Sequence, residues 1–149
     1  MKRLVIGEAE HRSLAHIAGQ LEFFSALKGE ALDRILSHIE LYAFKRGETI
    51  FKKGEPAEAL YVVHTGEVVI QISRWFALFR KVAHLESGNL FGEIALLENR
   101  PRAFTATARK DTQVFVLMKR DFDELLQSNP AFADGVRWLA ERRRFEDSR

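Results

Sequence analysis

The chain has 149 residues, 46% hydrophobic and 30% charged, which suits one domain with a single packed core. Its 23 basic and 21 acidic residues leave a net charge of +2, too small an excess to imply a nucleic-acid partner, and the lack of cysteine excludes disulfides and thiolate metal sites. No apolar run approaches the roughly 18 residues of a membrane span, and "MKRLVIG" starts like a signal peptide but meets Glu8 at once, so a cytoplasmic chain is expected, alone or as the soluble part of a larger protein.

Residues 10–21, "EHRSLAHIAGQL", place Leu14, Ile17, Ala18 and Leu21 on one helical stripe, and residues 28–39, "KGEALDRILSHI", do the same with Leu32, Ile35, Leu36 and Ile39. The expected division is an N-terminal helical segment, 1–27, and a main domain, 28–149. From Glu40 the period changes. Short β-branched and aromatic runs ("TIF", "LYVVHT", "EVVIQI", "RKVAHL", "AFTATA", "TQVFVLM") are cut by the turn glycines Gly47, Gly54, Gly66 and Gly88. Eight or so such strands point to a small sandwich or jelly-roll barrel. The expected fold is α+β, an eight-stranded antiparallel β jelly-roll barrel flanked by N-terminal and C-terminal helices. "SRWFALFR", Ser73 to Arg80, falls at a hairpin tip yet holds Trp75, Phe76, Leu78 and Phe79. Either these rings dock on something or the strands run on and bury them.

After Met118 the helical period returns. Asp121 with Glu124 three residues on predicts a capping box for "DFDELLQ". Pro130 ends that helix or begins the next, in which "AFADGVRWLAERRR" sets Phe132, Val136 and Leu139 on one stripe. Arg137, Arg142, Arg143 and Arg144 gather there; cations suit a helix C-terminus, and a nucleic-acid patch is the other reading.

The stretch that carries chemistry is "FGEIALLENRPRAFTATA", residues 91–108. Gly92 lets a ligand or another backbone approach closely. "EIALL", hemmed in by turn residues, reads as one short helical turn whose first N–H groups lack internal partners and favour an anion. Arg102, at the start of a strand, is suited to a two-point grip on phosphate. Glu93 can only accept hydrogen bonds when ionised, so it should face a different part of the ligand, a sugar hydroxyl being the natural donor. Together they describe a site for a nucleotide with few phosphates. An ion pair of Arg102 with Glu93 or Glu98 inside a turn is the alternative that spacing leaves open.

In residue type and spacing, "FGE-I-A-L" followed by "PRA" resembles the phosphate-binding cassette of the cyclic-nucleotide-binding domain, the family of cAMP-dependent kinase regulatory subunits, cyclic-nucleotide-gated channels and bacterial catabolite activators. The resemblance runs over roughly Leu21 to Arg144. It implies that Phe91, Gly92, Glu93, Ile94, Ala95, Arg102 and Ala103 form the ligand site. Arg102 would hold the cyclic phosphate, helped by the backbone N–H groups of Ala95 and Ala103. Glu93 would take the ribose 2′-hydroxyl, and Gly92 would permit the close sugar contact. It also implies an apolar slot for the base, closed over by a C-terminal helix, from which Trp138 could stack as a lid; permanent packing of Trp138 against the barrel or a second subunit is the other reading. Phe104 departs from the small residue common at that position. Ala103 offers no side-chain hydrogen bond to a guanine amino group, which leans the reading to cAMP, with cGMP as the second candidate.

An enzyme is not expected. His11, His16, His38, His64 and His84 form neither an HxH pair nor HExxH, and no nucleophile motif stands out. No metal or cofactor is called for. The catabolite activator branch appends a helix-turn-helix for which 149 residues leave no room, so neither DNA binding nor membrane binding by this chain alone is expected. The partners expected are a cyclic nucleotide and an effector domain or subunit outside this chain, with a homodimer as one assembly. The reading is a sensor that signals through its flanking helices; an interaction domain with an empty or degenerate pocket is the alternative.

Overall fold

A computed structural model describes residues 1–21, 24, 27, 29–73 and 80–147, excepting the side chains of 72, 73, 80–82, 139 and 143–147. In chain order the elements are β1 (Lys2–Leu4), α1 (Glu8–Gln20), α2 (Glu30–His38), β2 (Glu40–Phe44), β3 (Thr49–Phe51), β4 (Ala59–Thr65), β5 (Val68–Ser73), β6 (Arg80–Leu85), β7 (Leu90–Phe91), α3 (Glu93–Glu98), β8 (Thr105–Ala108), β9 (Thr112–Met118), α4 (Lys119–Ser128) and α5 (Pro130–Asp147). Trp75, Phe76, Leu78 and Phe79 lie outside the described residues, though β5 and β6 stay paired as far as Ser73 opposite Arg80.

The described strands number nine, not eight, and they divide into two hydrogen-bonded sheets in place of the expected barrel. All pairings are antiparallel. One sheet runs β1-β2-β9-β4-β7, the other β3-β8-β5-β6. The unexpected strand is β1, whose Lys2–Leu4 pair with Ala43–Leu41 of β2. Three residues carry too little periodicity to announce a strand, so the segment 1–27 holds a strand as well as a helix.

Alternation within the five-stranded sheet explains the layers. Leu41, Leu60, Val62, Phe115 and Leu117 point to one side, where they join Leu14 and Ile17 of α1, Ile35 and Leu36 of α2, Phe122 and Leu125 of α4, and Phe132 and Val136 of α5. Phe44, Ala59, Val63, Val114 and Val116 point to the other, against Phe51, Val68, Ile70, Ala106 and Ala108 of the four-stranded sheet. The middle of β9, Val114 to Leu117, is buried on both faces, which is why "VFVL" is an unbroken apolar run instead of an alternating one. At the turn after β4, a Cβ on Gly66 would sit 2.4 Å from Thr112 Oγ1, and its φ of +95° is one that side chains avoid.

Two helix boundaries differ from expectation. α4 starts at Lys119 with Met118 as its cap, and Asp121 lies inside the first turn, buried, 3.7 Å from His38 Nδ1 and from Arg120 Nε. Asp121 is therefore not a capping residue. Pro130 begins α5, where its missing N–H costs nothing, and Asn129 Oδ1 accepts from the Phe132 N–H at 3.0 Å. Phe132, Ala133, Val136 and Ala140 form the buried stripe of α5; the Leu139 side chain lies outside the described residues.

Candidate functional site

α3 is one and a half turns long and is closed off at both ends by left-handed residues. Gly92 precedes it at φ +84°. Asn99 follows it at φ +54°, donating to the Leu96 carbonyl at 3.4 Å while Arg100 N–H reaches the Ala95 carbonyl at 3.0 Å. This pair of bonds is a Schellman closure, and Pro101 then prevents the helix from continuing. The chain thus turns back on itself within a few residues and delivers Arg102 beside Gly92.

The main chain at Arg102 is held by the loop between β3 and β4. Its N–H donates to the Glu55 carbonyl and its carbonyl accepts from the Gly54 N–H, both at 2.8 Å. The residue is only 3% exposed, and its guanidinium lies between Phe51 of one sheet and Ala59 and Tyr61 of the other. Nη1 donates to the Gly92 carbonyl at 2.6 Å and Nη2 to the Ala59 carbonyl at 2.5 Å. Cζ stands 4.2 Å from the centre of the Phe51 ring and 5.7 Å from that of Tyr61. The Nε–H is buried with no hydrogen-bond partner among the described residues. A Cβ on residue 92 would come within 2.9 Å of Nη1 and 3.3 Å of the Tyr61 ring, so glycine is required here both for its backbone and for space.

Neither carboxylate named by the spacing makes an ion pair with Arg102 among the described residues; Glu98 pairs with Arg100. Burial pulls the Arg102 guanidinium below its ordinary value, opposed first by Tyr61 and then by the charges of Glu93 and Glu55. A guanidinium starts so far above neutrality that it stays charged. Burial likewise raises the Tyr61 hydroxyl, with Arg102 acting in the opposite sense, so Tyr61 is neutral at physiological pH. Glu93 is itself 2% exposed. A buried cation whose bonds go to neutral carbonyls is poorly compensated for the water it has lost. Such a group has unused capacity for an anion.

Of the residues read from the sequence, the structure brings together Phe91, Gly92, Glu93 and Arg102. The Phe91 ring stacks on Tyr61 at 5.1 Å and lies 6.1 Å from Phe51. Ile94 and Ala95 are half-buried on α3, and Ala103 is exposed. Phe104, the departure from pattern, packs on the inter-sheet core with its ring 5.5 Å from Phe51. Trp138 stands apart on α5, 55% exposed, with the Arg142 guanidinium 4.7 Å over its ring. Phe51, Tyr61 and the carbonyl of Ala59 were not anticipated as parts of the site. In the sequence the first two read only as strand residues, and a backbone carbonyl has no signature at all.

A family model, the cyclic nucleotide-binding domain, matches residues 42–129, more than half of the chain and the whole of this arrangement. The chain belongs to the cyclic nucleotide-binding domain family. Among its relatives is the cyclic AMP receptor protein of Thermus thermophilus, 32% identical over 120 residues, which are 80% of this chain and 56% of that protein. The cAMP-dependent protein kinase regulatory subunit of Mucor circinelloides is 26% identical over 78% of this chain and 27% of its own length. A solved structure, cAMP-bound PfPKA-R, superposes with a TM-score of 0.76 at 26% identity, covering 85% of this chain and 45% of that one. The chain thus spans about half or less of the length of these proteins. Among the described residues of this cyclic nucleotide-binding domain, no helix is long and apolar enough to cross a membrane.

Proposed function

We propose that the domain binds a cyclic nucleotide, with cAMP favoured, and passes the event to an effector through its helices. The observation that carries this is Arg102: a buried cation that makes no ion pair with a carboxylate among the described residues, in a stretch that resembles the family's phosphate-binding cassette. Arg102 would hold the cyclic phosphate, with the N–H groups of Ala95 and Ala103 beside it. Ala95 is the third residue of α3, so its N–H is one of those the helix leaves without an internal partner. Glu93, behind Gly92, would accept from the ribose 2′-hydroxyl. Exposed Ala103 has no hydroxyl to offer a guanine, which favours adenine. Phe104 is committed to the inter-sheet core, which leaves the base side less crowded than a Phe in that position suggests.

Transmission has a physical route. α3 carries the cassette and packs against α5, and α5 packs against α4. A ligand that fits one position of α3 better than another therefore biases the C-terminal helices. In this reading Trp138, on the exposed side of α5, faces the effector or the lid position. No catalytic step is assigned.

The test is calorimetry with cAMP and cGMP on the native chain and on Arg102→Ala. Losing a charge-assisted contact is worth about 1.5–3 kcal/mol, so cAMP affinity should fall roughly ten- to a hundred-fold while circular dichroism is unchanged. Equal affinity in the two proteins would sink the assignment of Arg102. No binding of either nucleotide to the native chain would favour an interaction domain.

A further inference from the structure

We infer that Phe51, with the carbonyls of Gly92 and Ala59, holds Arg102 in an inward position that competes with nucleotide, so that Phe51 sets the affinity of the site from beneath it. This rests on the reading of Arg102 as the phosphate grip.

A guanidinium that is 3% exposed cannot present its N–H groups to a solute without moving or being uncovered. Inward, it has two short hydrogen bonds and a ring face at 4.2 Å. Those contacts oppose the movement. Against them stand the lost hydration of the charge and the buried Nε–H without an acceptor. The inward position is held but not fully satisfied, which is the condition for a group that takes up two positions. On the Gly92 side there is no slack, since even a methyl group would meet Nη1 at 2.9 Å. The guanidinium must therefore leave by turning off the Phe51 face.

Phe51 is 4% exposed and packed among Tyr61, Phe91 and Phe104, with ring centres at 5.6, 6.1 and 5.5 Å. A solute bound outside does not touch it. It is a positioning residue, and its effect is on the population of Arg102 that is free to bind. Apparent affinity is the intrinsic affinity scaled by that population. Cation–ring attraction is strongest where water is excluded, as it is here. Its removal weakens the inward position alone, so it should tighten binding, the reverse of what removing a ligand contact does.

The experiment uses Phe51→Leu, and Phe51→Met as a second variant of closer length in case the leucine protein does not fold. The first readout needs no nucleotide: the rate at which phenylglyoxal modifies Arg102, followed by peptide mass spectrometry against Arg120, whose side chain is 86% exposed. The native Arg102 should react far more slowly than Arg120, and either substitution should raise its rate at least about threefold with Arg120 unchanged. The second readout is calorimetry with cAMP, where affinity should tighten about three- to thirty-fold. Unchanged reactivity overturns the inward lock. Raised reactivity with unchanged or weaker affinity overturns the competition, since Phe51 would then be supporting the bound position. Failure of the native chain to bind cAMP overturns the phosphate-grip reading instead, and the modification rates still decide whether Phe51 holds the guanidinium.

Discussion

On one face of the five-stranded sheet Leu41, Leu60, Val62, Phe115 and Leu117 meet the helices in one apolar cluster. On the other, at the end near the cassette, Phe51 and Tyr61 lie against a guanidinium, and Phe91 and Phe104 pack on Phe51. The two regions share β4 and are both largely excluded from water, yet they answer to different physics. The helix-side core is stabilised by area, and its members are interchangeable in kind if volume is kept. The cassette-side core contains a charge, and its members matter for where they put that charge. The first region should therefore control whether the chain folds, and the second what it binds.

The strongest challenge to that division is Phe115→Ala. Phe115 is 1% exposed at the centre of the sheet, with the His64 ring 4.8 Å away. Truncation of such a ring costs about 3–5 kcal/mol. Urea unfolding should show that loss, while the cAMP affinity of the folded fraction stays within about twofold of native. A parallel fall in affinity would mean that the two cores are not separable.

Gly92→Ala should register in both regions. A side chain at φ +84° carries a left-handed penalty of about 1–2 kcal/mol, and its Cβ collides with Arg102 Nη1. Thermal unfolding should come earlier, and calorimetry should show weakened cAMP binding because the added methyl group stands where the sugar must come close, an obstruction that outweighs any release of the guanidinium from its inward seat. Native affinity in this variant would remove the close sugar contact from Gly92.

Glu93→Gln is the finest cut. The amide keeps an acceptor and the volume but gives up the charge, a difference of about 1 kcal/mol or roughly fivefold in affinity. The native domain should prefer cAMP to its 2′-deoxy analogue, and the variant should lose most of that preference with little change in stability. Equal affinity of the native chain for both sugars would remove the ribose role from Glu93.

The elements that were legible in the sequence are those whose signal is local. α1, α2 and the buried stripe of α5 follow from apolar spacing, and the turns follow from glycine. Within the cassette Gly92 is legible because its backbone and the nearness of Arg102 demand glycine, whereas Glu93 and Arg102 stand out only by their resemblance to a family motif. β1 is not, because "KRL" becomes a strand only by pairing with β2 some forty residues away. The start of α4 was misplaced because Asp121 has the chemistry of a cap; its carboxylate is instead buried near His38, a contact across the chain. The inward seat of Arg102 was hidden for the same reason. Two of its partners are backbone carbonyls, and the third, Phe51, is an aromatic among twelve phenylalanines with nothing local to set it apart.

β9 is the last of the described strands and the middle strand of its sheet, between β2 and β4. Neither of those strands pairs with the other, so on the ribosome the sheet has no centre until Met118 has emerged. Until then Leu41, Leu60 and Val62 have no β9 to lie against, and Phe44 and Val63 lack the strand that completes their layer. Pairing across such long separations is slow, and chains waiting for it expose strand edges. Fragments that end before Thr112 should accordingly precipitate or be degraded, and the nascent domain should depend on holdase chaperones until β9 has emerged.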